Sequence, residues 1–378
     1  MTCKSGGSHG SVGCIDIISG LLDEIRECIL GYLPMCDAVR TSVLSRKLRY
    51  SWTRASQLNI CLDEDMESDM DFSPDMYCGL VGRVLLSHVG PIRTFILRVT
   101  WRDREEDMNT WLQFVSRNGI EDLRLLCDEY IDGFDLPHAI FHCLGLSCLT
   151  LSKIFLHDSL PFKGFPNLVR LVLYDVSIFG DVLELVISSS PLEVLIIERC
   201  CWWSDHRPRK TAISAPNLRV LRVVCSYFGL VWTYLKYTPI LRVASFAIEE
   251  TDDIDSLQSN CFDVLRSMPK IEVLTFECLL HKPSSSDVIV LKLPELLVNL
   301  KTVTLYDMDV ISVDKMSFMF CIMRSSPNLQ TLDVHPYIDK DTFSKESLTA
   351  ATAYLDAVDK EEMKASVATL SVTICNIF

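Results

Sequence analysis

Residues 17–52 read IISGLLDEIRECILGYLPMCDAVRTSVLSRKLRYSW, a run of helical patterns that holds no catalytic motif. The apolar positions of Asp23–Leu33 follow the i, i+3, i+4, i+7, i+8 spacing of one helix face. These positions are Ile25, Cys28, Ile29, Tyr32 and Leu33. Pro34 then ends the helix, because proline has no amide hydrogen to donate. The pattern therefore predicts a short amphipathic helix near the start of the chain.

Two more short helices are predicted directly downstream. Asp37 is expected to cap a helix over Ala38–Leu44, and Ser45 is expected to cap a third over Arg46–Trp52. About 35 residues in three short helices cannot bury a core of their own. We therefore expect this module to pack against the following domain, against a partner, or against both.

This segment resembles an F-box, and it is most similar to that of plant F-box/FBD/leucine-rich-repeat proteins. Their motif runs roughly L-P-D-E-I, I-L, L-P, then D-A-V-R-T-S-V-L-S and W-R-x-x-W. The nine-residue run Asp37–Ser45 matches directly, and Leu21–Ile25 and Leu33-Pro34 match in part. Two positions depart from the motif, since Leu22 replaces the usual proline and Leu48 the usual first tryptophan. Both substitutes are apolar, so the surface keeps its chemical character.

The resemblance implies docking on a Skp-type adaptor, which would attach the protein to a cullin-based (SCF) ubiquitin ligase. A second interpretation is a helical cap that seals the open end of the repeats described below, and the two roles are compatible. The adaptor-binding residues that the resemblance implies are Leu21, Leu22, Ile25, Ile29, Leu33, Pro34, Val43, Leu44, Ser45, Leu48 and Trp52.

Length and composition limit the remaining possibilities. The 378 residues can hold one small module and one large domain, and a hydrophobic content of 49% excludes a disordered chain. A net charge of −14 argues against general nucleic-acid binding, which depends on neutralising phosphates. We expect no secretory signal in the Gly/Ser-rich first fifteen residues, and no apolar run reaches the length of about 18 residues that a membrane helix needs.

Sixteen cysteines are present, and most of them lie inside apolar patterns. In a reducing compartment a free cysteine behaves as a small core hydrophobe rather than as half of a disulfide. The sequence therefore predicts a location in the cytoplasm, the nucleus or both.

A short phrase, roughly L-x-x-L-x-L, recurs from about residue 91 onward. Its first anchors are Ile92, Ile120, Leu146, Leu168, Leu192, Leu218, Leu241, Ile271, Leu300 and Leu329. The anchors are 22 to 30 residues apart, which brackets the leucine-rich-repeat period. Alternating Leu-x-Leu turns one side of a short strand inward, and neighbouring units must stack to bury it. The predicted fold class is α/β: a three-helix F-box-like module, then an irregular solenoid of parallel strands with helical or irregular returns.

Five segments follow from these patterns. They are a disordered tail over 1–15, an F-box-like helical module over 16–60, an acidic linker and lead-in over 61–90, the leucine-rich-repeat solenoid over 91–340, and a C-terminal cap or abbreviated FBD-like end over 341–378. Asp63–Asp75 holds seven acidic residues among thirteen, typical of a solvated linker, although contact with nearby arginines and lysines is an alternative. The last segment should form a helix over Leu348–Val358 and a strand over Ala368–Ile374.

A target protein would bind the open face of the repeats. In an x-L-x-L-x strand the x residues point to this face, and an apolar row there indicates an interaction surface. Return segments could instead cover the row, or a register error of one residue would exchange the faces. The loop Arg199–Lys210 adds two tryptophans beside basic residues, the composition of binding hot spots. The candidate target-binding residues are Arg170, Tyr174, Glu198, Trp202, Trp203, Arg222, Glu277, Tyr306, Asp333 and His335.

No catalytic site, cofactor or metal is predicted. His138 and His142 lie four residues apart, but the cysteines nearby do not complete a recognisable zinc spacing. Cys200 and Cys201 could offer a nucleophile, although no base of fixed geometry accompanies them. No Gly-rich phosphate loop or Gly-x-Ser-x-Gly elbow is present.

The resemblance therefore implies a non-catalytic, substrate-recruiting subunit of an SCF ubiquitin ligase. Its expected partners are a Skp-type adaptor with its cullin complex and an unknown target protein, with no nucleic acid and no membrane. The alternative is a repeat-based interaction scaffold with a vestigial F-box and no ligase role, an interpretation that the departures at Leu22 and Leu48 motivate.

Overall fold

A computed structural model describes residues 17–61, 73–99, 105–127, 133–157, 162–180, 182–203, 213–225, 235–248, 265, 268–278, 293, 295–309, 311–337, 345–357 and 371–374. The chain divides into two compact units, Met1–Leu97, here called the helical unit, and Arg98–Phe378, here called the repeat unit. The predicted tail over 1–15 and most of the acidic linker lie outside the described residues.

The helical unit combines short helices with two parallel strands. Its elements are α1 Ile17–Gly20, α2 Asp23–Gly31, α3 Met35–Arg40, 3₁₀ turns at Thr41–Val43 and Ser51–Arg54, β1 Gln57–Ile60, α4 Pro74–Ser87 and β2 Thr94–Val99. Strand β1 pairs in parallel with β2, with Gln57 opposite Thr94. Helices α2 and α3 both contact β1.

Two details of the predicted helices are wrong. Helix α3 begins at Met35 after Pro34, so Asp37 lies in its first turn and pairs with Arg40 at 2.9 Å instead of capping the helix. Proline suits this place because the start of a helix needs no amide donor there. The third helix, predicted over Arg46–Trp52, is a turn followed by a 3₁₀ turn.

The turn that replaces this third helix buries Leu48. The Ser45 hydroxyl accepts a hydrogen bond from the Leu48 amide at 3.2 Å, so it makes the contact expected of a cap although a turn follows it in place of a helix. The Ser51 hydroxyl closes the turn by donating to the Lys47 carbonyl at 2.8 Å. The Leu48 side chain is thereby directed inward and is only 4% exposed.

Part of the predicted lead-in segment belongs to the core of the helical unit. The Ser73 hydroxyl caps α4 by accepting from the Met76 amide at 3.3 Å. The side chains of Tyr77, Val81 and Val84 on this helix are buried. Residues 74–87 are therefore a packed helix, whereas a linker would be solvated.

The repeat unit consists of many short strands and four described helices. The helices are α5 Glu105–Arg117, α6 Val182–Ser188, α7 Val313–Ser325 and α8 Lys345–Ala357, with a 3₁₀ turn at His138–His142. The strands are β3 Asp122–Cys127, β4 Phe134–Asp135, β5 Cys148–Ser152, β6 Ile154–Leu156, β7 Arg170–Tyr174, β8 Ser177–Phe179, β9 Val194–Glu198, β10 Cys201–Trp203, β11 Ile213–Ser214, β12 Val220–Cys225, β13 Leu235–Tyr237, β14 Val243–Ile248, β15 Val273–Cys278, β16 Thr302–Asp309, β17 Thr331–Tyr337 and β18 Ser371–Ile374.

Ten of these strands form one parallel sheet in the order β3-β5-β7-β9-β12-β14-β15-β16-β17-β18. Every predicted repeat phrase became a strand that begins two residues after its first anchor, as β7 does after Leu168. The carbonyl before each strand joins it to the next repeat. For example, the Ser147 carbonyl accepts from the amides of Val169 at 2.8 Å and Arg170 at 3.0 Å. The predicted repeat period is therefore confirmed.

A second, four-stranded sheet was not predicted. It runs in the order β10-β8-β6-β4, and its strands follow closely after those of the main sheet. Lys153, Asp175 and Arg199 separate the two sheets and have left-handed φ angles of 54°, 56° and 53°. Glycine adopts this conformation most readily. Because a lysine, an aspartate and an arginine occupy these positions, the sequence carries no glycine that would indicate the turns.

The C-terminal segment contains the expected helix and strand. Helix α8 begins three residues before its predicted start, and β18 pairs in parallel with β17, where Thr331 lies opposite Ser371. The segment therefore extends the main sheet by one strand. The distinction between a cap and an FBD-like end stays a prediction.

Candidate functional site

The helical unit presents an apolar stripe to solvent on α2. Leu22, Ile25, Ile29 and Tyr32 are all exposed, and Tyr32 is 73% exposed. They occupy one face of the helix by their spacing. Apolar side chains of an amphipathic helix normally point into the core, so this stripe is available to a partner.

The opposite face of α2 is buried and fixes the orientation of the helix. The Arg26 guanidinium is buried, pairs with the Asp23 carboxylate and donates to the Leu21 carbonyl. At Gly31 the helix comes so close to β1 that a Cβ atom would lie 3.2 Å from that of Gln57. A side chain at this position would push α2 away from the strand, so glycine sets the close approach.

A second exposed apolar group follows on α3 and the turn after it. Val43 is 87% exposed and Leu44 is 70% exposed, while Val39 and Tyr50 are also exposed. Together with the α2 stripe, these side chains are called the docking face below. Tyr32, Val39 and Tyr50 were absent from the predicted adaptor-binding set. The spacing of Tyr32 on the α2 stripe was the signal that could have included it.

The predicted adaptor-binding residues differ in their accessibility. The exposed ones are Leu22, Ile25, Ile29, Val43 and Leu44. The partly buried ones are Leu21, Leu33, Pro34, Ser45 and Trp52. Leu48 is the correction, because its buried side chain supports the helical unit from within and offers no contact surface.

The repeat unit has an open face, here called the strand face, on its main sheet. In β9, β15 and β17 the residues alternate between half-exposed and buried positions, with the leucine-type anchors inward. The predicted assignment of the two faces is therefore confirmed along these strands. Val172 is an exception, since it is buried although it lies in an outward row.

Polar and aromatic contacts join neighbouring repeats across the strand face. The Arg222 guanidinium pairs with the Glu198 carboxylate at 2.6 Å and donates to the Ser245 hydroxyl at 3.4 Å. Further along, the rings of Tyr306 and His335 stack with centroids 4.3 Å apart. The remaining predicted target-binding residues of the face, Arg170, Tyr174, Glu277 and Asp333, are exposed or half-exposed.

Trp202 and Trp203 lie in a strand, which corrects the prediction of a loop. Both belong to β10, where Trp202 is opposite Ile178 and Trp203 is opposite Phe179 in the second sheet. The basic part of the predicted hot spot, residues 204–210, lies outside the described residues. The tryptophans are therefore not part of the strand face.

Burial argues against Cys200 as the nucleophile considered from sequence, whereas its neighbour Cys201 is exposed. Burial raises the pKa of the Cys200 thiol to about 12, and it raises that of Cys143 to about 12 as well. Both thiols stay protonated at neutral pH, whereas a nucleophile must be a thiolate. Cys28, Cys143, Cys200, Cys201 and Cys321 carry free thiols.

Neither a metal site nor a membrane helix emerges where the chain is described. His138 and His142 lie in the 3₁₀ turn, and no group of three or more metal-ligating side chains forms within the described ranges. None of the described helices has the length and apolar character needed to span a bilayer.

Comparisons with known proteins match the two units separately. Residues 18–57 match the family model described as F-box domain. Residues 108–334 match the model described as FBD-associated F-box protein At5g56370, LRR repeats. The first match covers the docking face, and the second covers most strands of the strand face.

Relatives in Arabidopsis thaliana show the same combination. The chain is 33% identical over 327 residues to F-box/FBD/LRR-repeat protein At1g13570, an alignment that covers 84% of this chain and 76% of the relative. It is 26% identical over 370 residues to F-box/LRR-repeat protein At3g03360, covering 89% of this chain and 73% of that protein.

Proposed function

Because the chain belongs to the plant F-box/FBD/leucine-rich-repeat family, we propose that it is a non-catalytic, substrate-recruiting subunit of an SCF ubiquitin ligase. The observation that carries this proposal is the docking face, which exposes apolar side chains within the residues that match the F-box model. In this role the helical unit binds a Skp-type adaptor, and the strand face of the repeat unit binds the target.

The energetics of the docking face favour a permanent or frequent partner. Fully burying one Leu, Ile or Val side chain contributes about 1.5–3 kcal/mol. Leu22, Ile25, Ile29, Val43 and Leu44 would together contribute several kcal/mol, which offsets part of the loss of freedom on binding. Exposed Arg40 near these side chains adds a polar rim of the kind that surrounds interface cores.

The proposed mechanism is proximity, in keeping with the family to which the chain belongs. Holding the ligase through one unit and the target through the other raises the concentration of target lysines near the transferred ubiquitin. This role takes place in the cytoplasm or the nucleus. The free thiols of cysteines such as Cys28 and Cys321 suit the reducing conditions there.

The alternative, a scaffold with a vestigial F-box, loses part of its motivation. Leu48 is buried, so the missing tryptophan at this position removes core volume rather than contact surface. Leu22 is exposed and adds apolar area to the docking face. Both departures from the motif are therefore compatible with adaptor binding.

The experiment measures binding of the intact chain to a purified Skp-type adaptor by isothermal titration calorimetry. The double variant Val43→Asp, Leu44→Asp should bind at least about a hundredfold more weakly, because two charges would have to be desolvated in an apolar interface. Leu86→Asp is the matched control, since Leu86 is 83% exposed in the same unit but outside the residues that match the F-box model. No binding by the wild-type chain, or equal binding by the double variant, would contradict the proposal.

A further inference from the structure

One end of the strand face differs chemically from the rest. It is formed by Glu277 on β15, Tyr306 on β16, and Asp333 and His335 on β17, and it is called the acidic corner below. Two carboxylates here accompany a stacked aromatic pair, whereas in the middle of the face valine and isoleucine side chains accompany the Glu198–Arg222 ion pair.

The strand register brings these side chains together. Glu277 lies directly opposite Tyr306, and Thr304, two residues before Tyr306, lies opposite Asp333. Neighbouring strands are about 4.8 Å apart, so Glu277 and Asp333 lie on opposite sides of β16, roughly 10 Å apart across the sheet and offset by two residues along it. Tyr306 is level with Glu277, and its ring stacks on that of His335, two residues beyond Asp333 on β17, so an aromatic surface accompanies the carboxylates.

Among the described residues, the carboxylates of the acidic corner differ from Glu198 and Asp122 on the strand face in forming no ion pair. Elsewhere on this face, Glu198 pairs with Arg222 at 2.6 Å, and Asp122 pairs with Arg124 at 2.8 Å. No ion pair joins Glu277 or Asp333 to a basic side chain in the described ranges of the chain. Half-exposed carboxylates beside an aromatic ring form a complementary surface for a cation.

We propose that the acidic corner binds an arginine side chain of the target, with its guanidinium stacked on Tyr306 and paired with Glu277 or Asp333. This inference rests on the proposed function, because it names the chemistry of the target that the strand face recruits. The occupant is a protein segment that carries an exposed arginine.

Arginine suits the acidic corner better than lysine does. Its planar guanidinium stacks on aromatic rings and forms bidentate hydrogen bonds with a carboxylate, and it is more weakly hydrated than an ammonium group. A lysine would gain the same charge attraction without the stacking contact. The overall charge of −14 brings any basic segment toward the protein, and the acidic corner adds the directional contacts.

The test uses a dye-labelled tetra-arginine peptide, its neutral tetra-citrulline counterpart and a tetra-lysine peptide, with the intact chain and fluorescence anisotropy. Tetra-arginine should bind most tightly, and citrulline should not bind. The isosteric variant Glu277→Gln, Asp333→Asn should weaken arginine binding at least about tenfold. Tyr306→Leu should weaken binding of arginine more than that of lysine, because only the guanidinium stacks.

Two matched controls come from the same unit. Asp122→Asn removes a carboxylate of the strand face that is already paired with Arg124, and Tyr354→Leu removes a half-buried aromatic ring on α8, which is not part of the strand face. Both controls should keep wild-type affinity for tetra-arginine. Equal loss in the controls, or unchanged binding by the Glu277→Gln, Asp333→Asn variant, would overturn the proposal. Equal affinity for lysine with no effect of Tyr306→Leu would also overturn it.

Failure of this inference and failure of the ligase role give different results. Adaptor binding depends on Val43 and Leu44 and is measured without any peptide. An intact adaptor complex with no arginine preference would contradict the acidic corner alone. Arginine binding without an adaptor complex would contradict the ligase role and leave the acidic corner supported.

Discussion

The docking face and the strand face are both open, but they differ in chemistry. The docking face is a set of apolar side chains, such as Leu22 and Val43, on very short helices. The strand face mixes valines with the Arg222–Glu198 ion pair and the Tyr306–His335 stack on a regular parallel sheet. A uniform apolar surface suits one recurring partner, whereas a mixed surface on a rigid scaffold allows discrimination between targets.

The difference arises from how each unit builds its core. In the repeat unit, each strand turns one set of side chains inward and leaves the other set free to vary. In the helical unit, α2 buries Arg26 and Gly31 while its apolar stripe faces outward. Its exposed apolar side chains therefore form the surface that the proposed adaptor would cover.

The largest effect should separate the inner and outer leucines of the helical unit. Leu48→Asp would bury an unpaired charge. We therefore expect the free energy of unfolding of this unit to fall by more than about 4 kcal/mol, with local unfolding. Leu44→Asp changes a solvent-exposed side chain, and its stability should stay within about 0.5 kcal/mol of wild type. Limited proteolysis of the intact chain, with cleavage scored within residues 17–61, measures both. Equal protease resistance of the two variants would remove the distinction between core and docking face.

The next effect tests the same distinction in the repeat unit. Leu221 is buried and Val220 beside it is half-exposed. Leu221→Ala should lower the free energy of unfolding by about 3 kcal/mol because of the cavity that it leaves. Val220→Ala should lower the free energy of unfolding by less than about 1 kcal/mol. Urea unfolding of both variants measures the difference. A larger loss for Val220→Ala would place the strand face on the opposite side of the sheet.

The repeat unit was largely predictable because its signal is periodic. Anchors such as Leu168 and Leu300 recur every 22 to 30 residues, and alternation within each phrase specifies which side chains turn inward. The second sheet was missed because Lys153, Asp175 and Arg199 adopt left-handed conformations without the glycine that normally indicates them. The local sequence therefore gave no sign that the chain changes direction at these positions.

The helical unit was predicted in kind but not in detail. Leu48 and Trp52 have helical spacing, yet the Ser45 cap and the inward turn of Leu48 replace the expected helix. Periodicity along α2 reveals an apolar stripe, but it does not say whether core or solvent covers that stripe. The outward orientation depends on the close packing of Gly31 on β1, which is a tertiary contact.

The smallest effect concerns the left-handed residues that separate the two sheets of the repeat unit. Asp175 is exposed with a φ of 56°, so Asp175→Val should cost about 1–2 kcal/mol, because a β-branched residue is strained there. For Asp175→Gly the free energy of unfolding should remain within about 0.5 kcal/mol of wild type. Glycine relieves the strain in the folded state, but its greater freedom stabilises the unfolded chain by a similar amount. Thermal unfolding of both variants provides the comparison. Equal unfolding temperatures for the two variants would mean that residue 175 does not need a left-handed backbone conformation.

Hydrogen–deuterium exchange of the intact chain, with and without saturating Skp-type adaptor, tests the central claim most directly. The account predicts that the adaptor slows exchange in peptides that cover Leu22–Tyr32 and Val39–Leu44, which carry the docking face. Exchange in β9, β12 and β15 of the strand face should not change, because that surface is kept for the target. Protection confined to the repeat unit, or no protection of the helical unit, would contradict the assignment of the docking face.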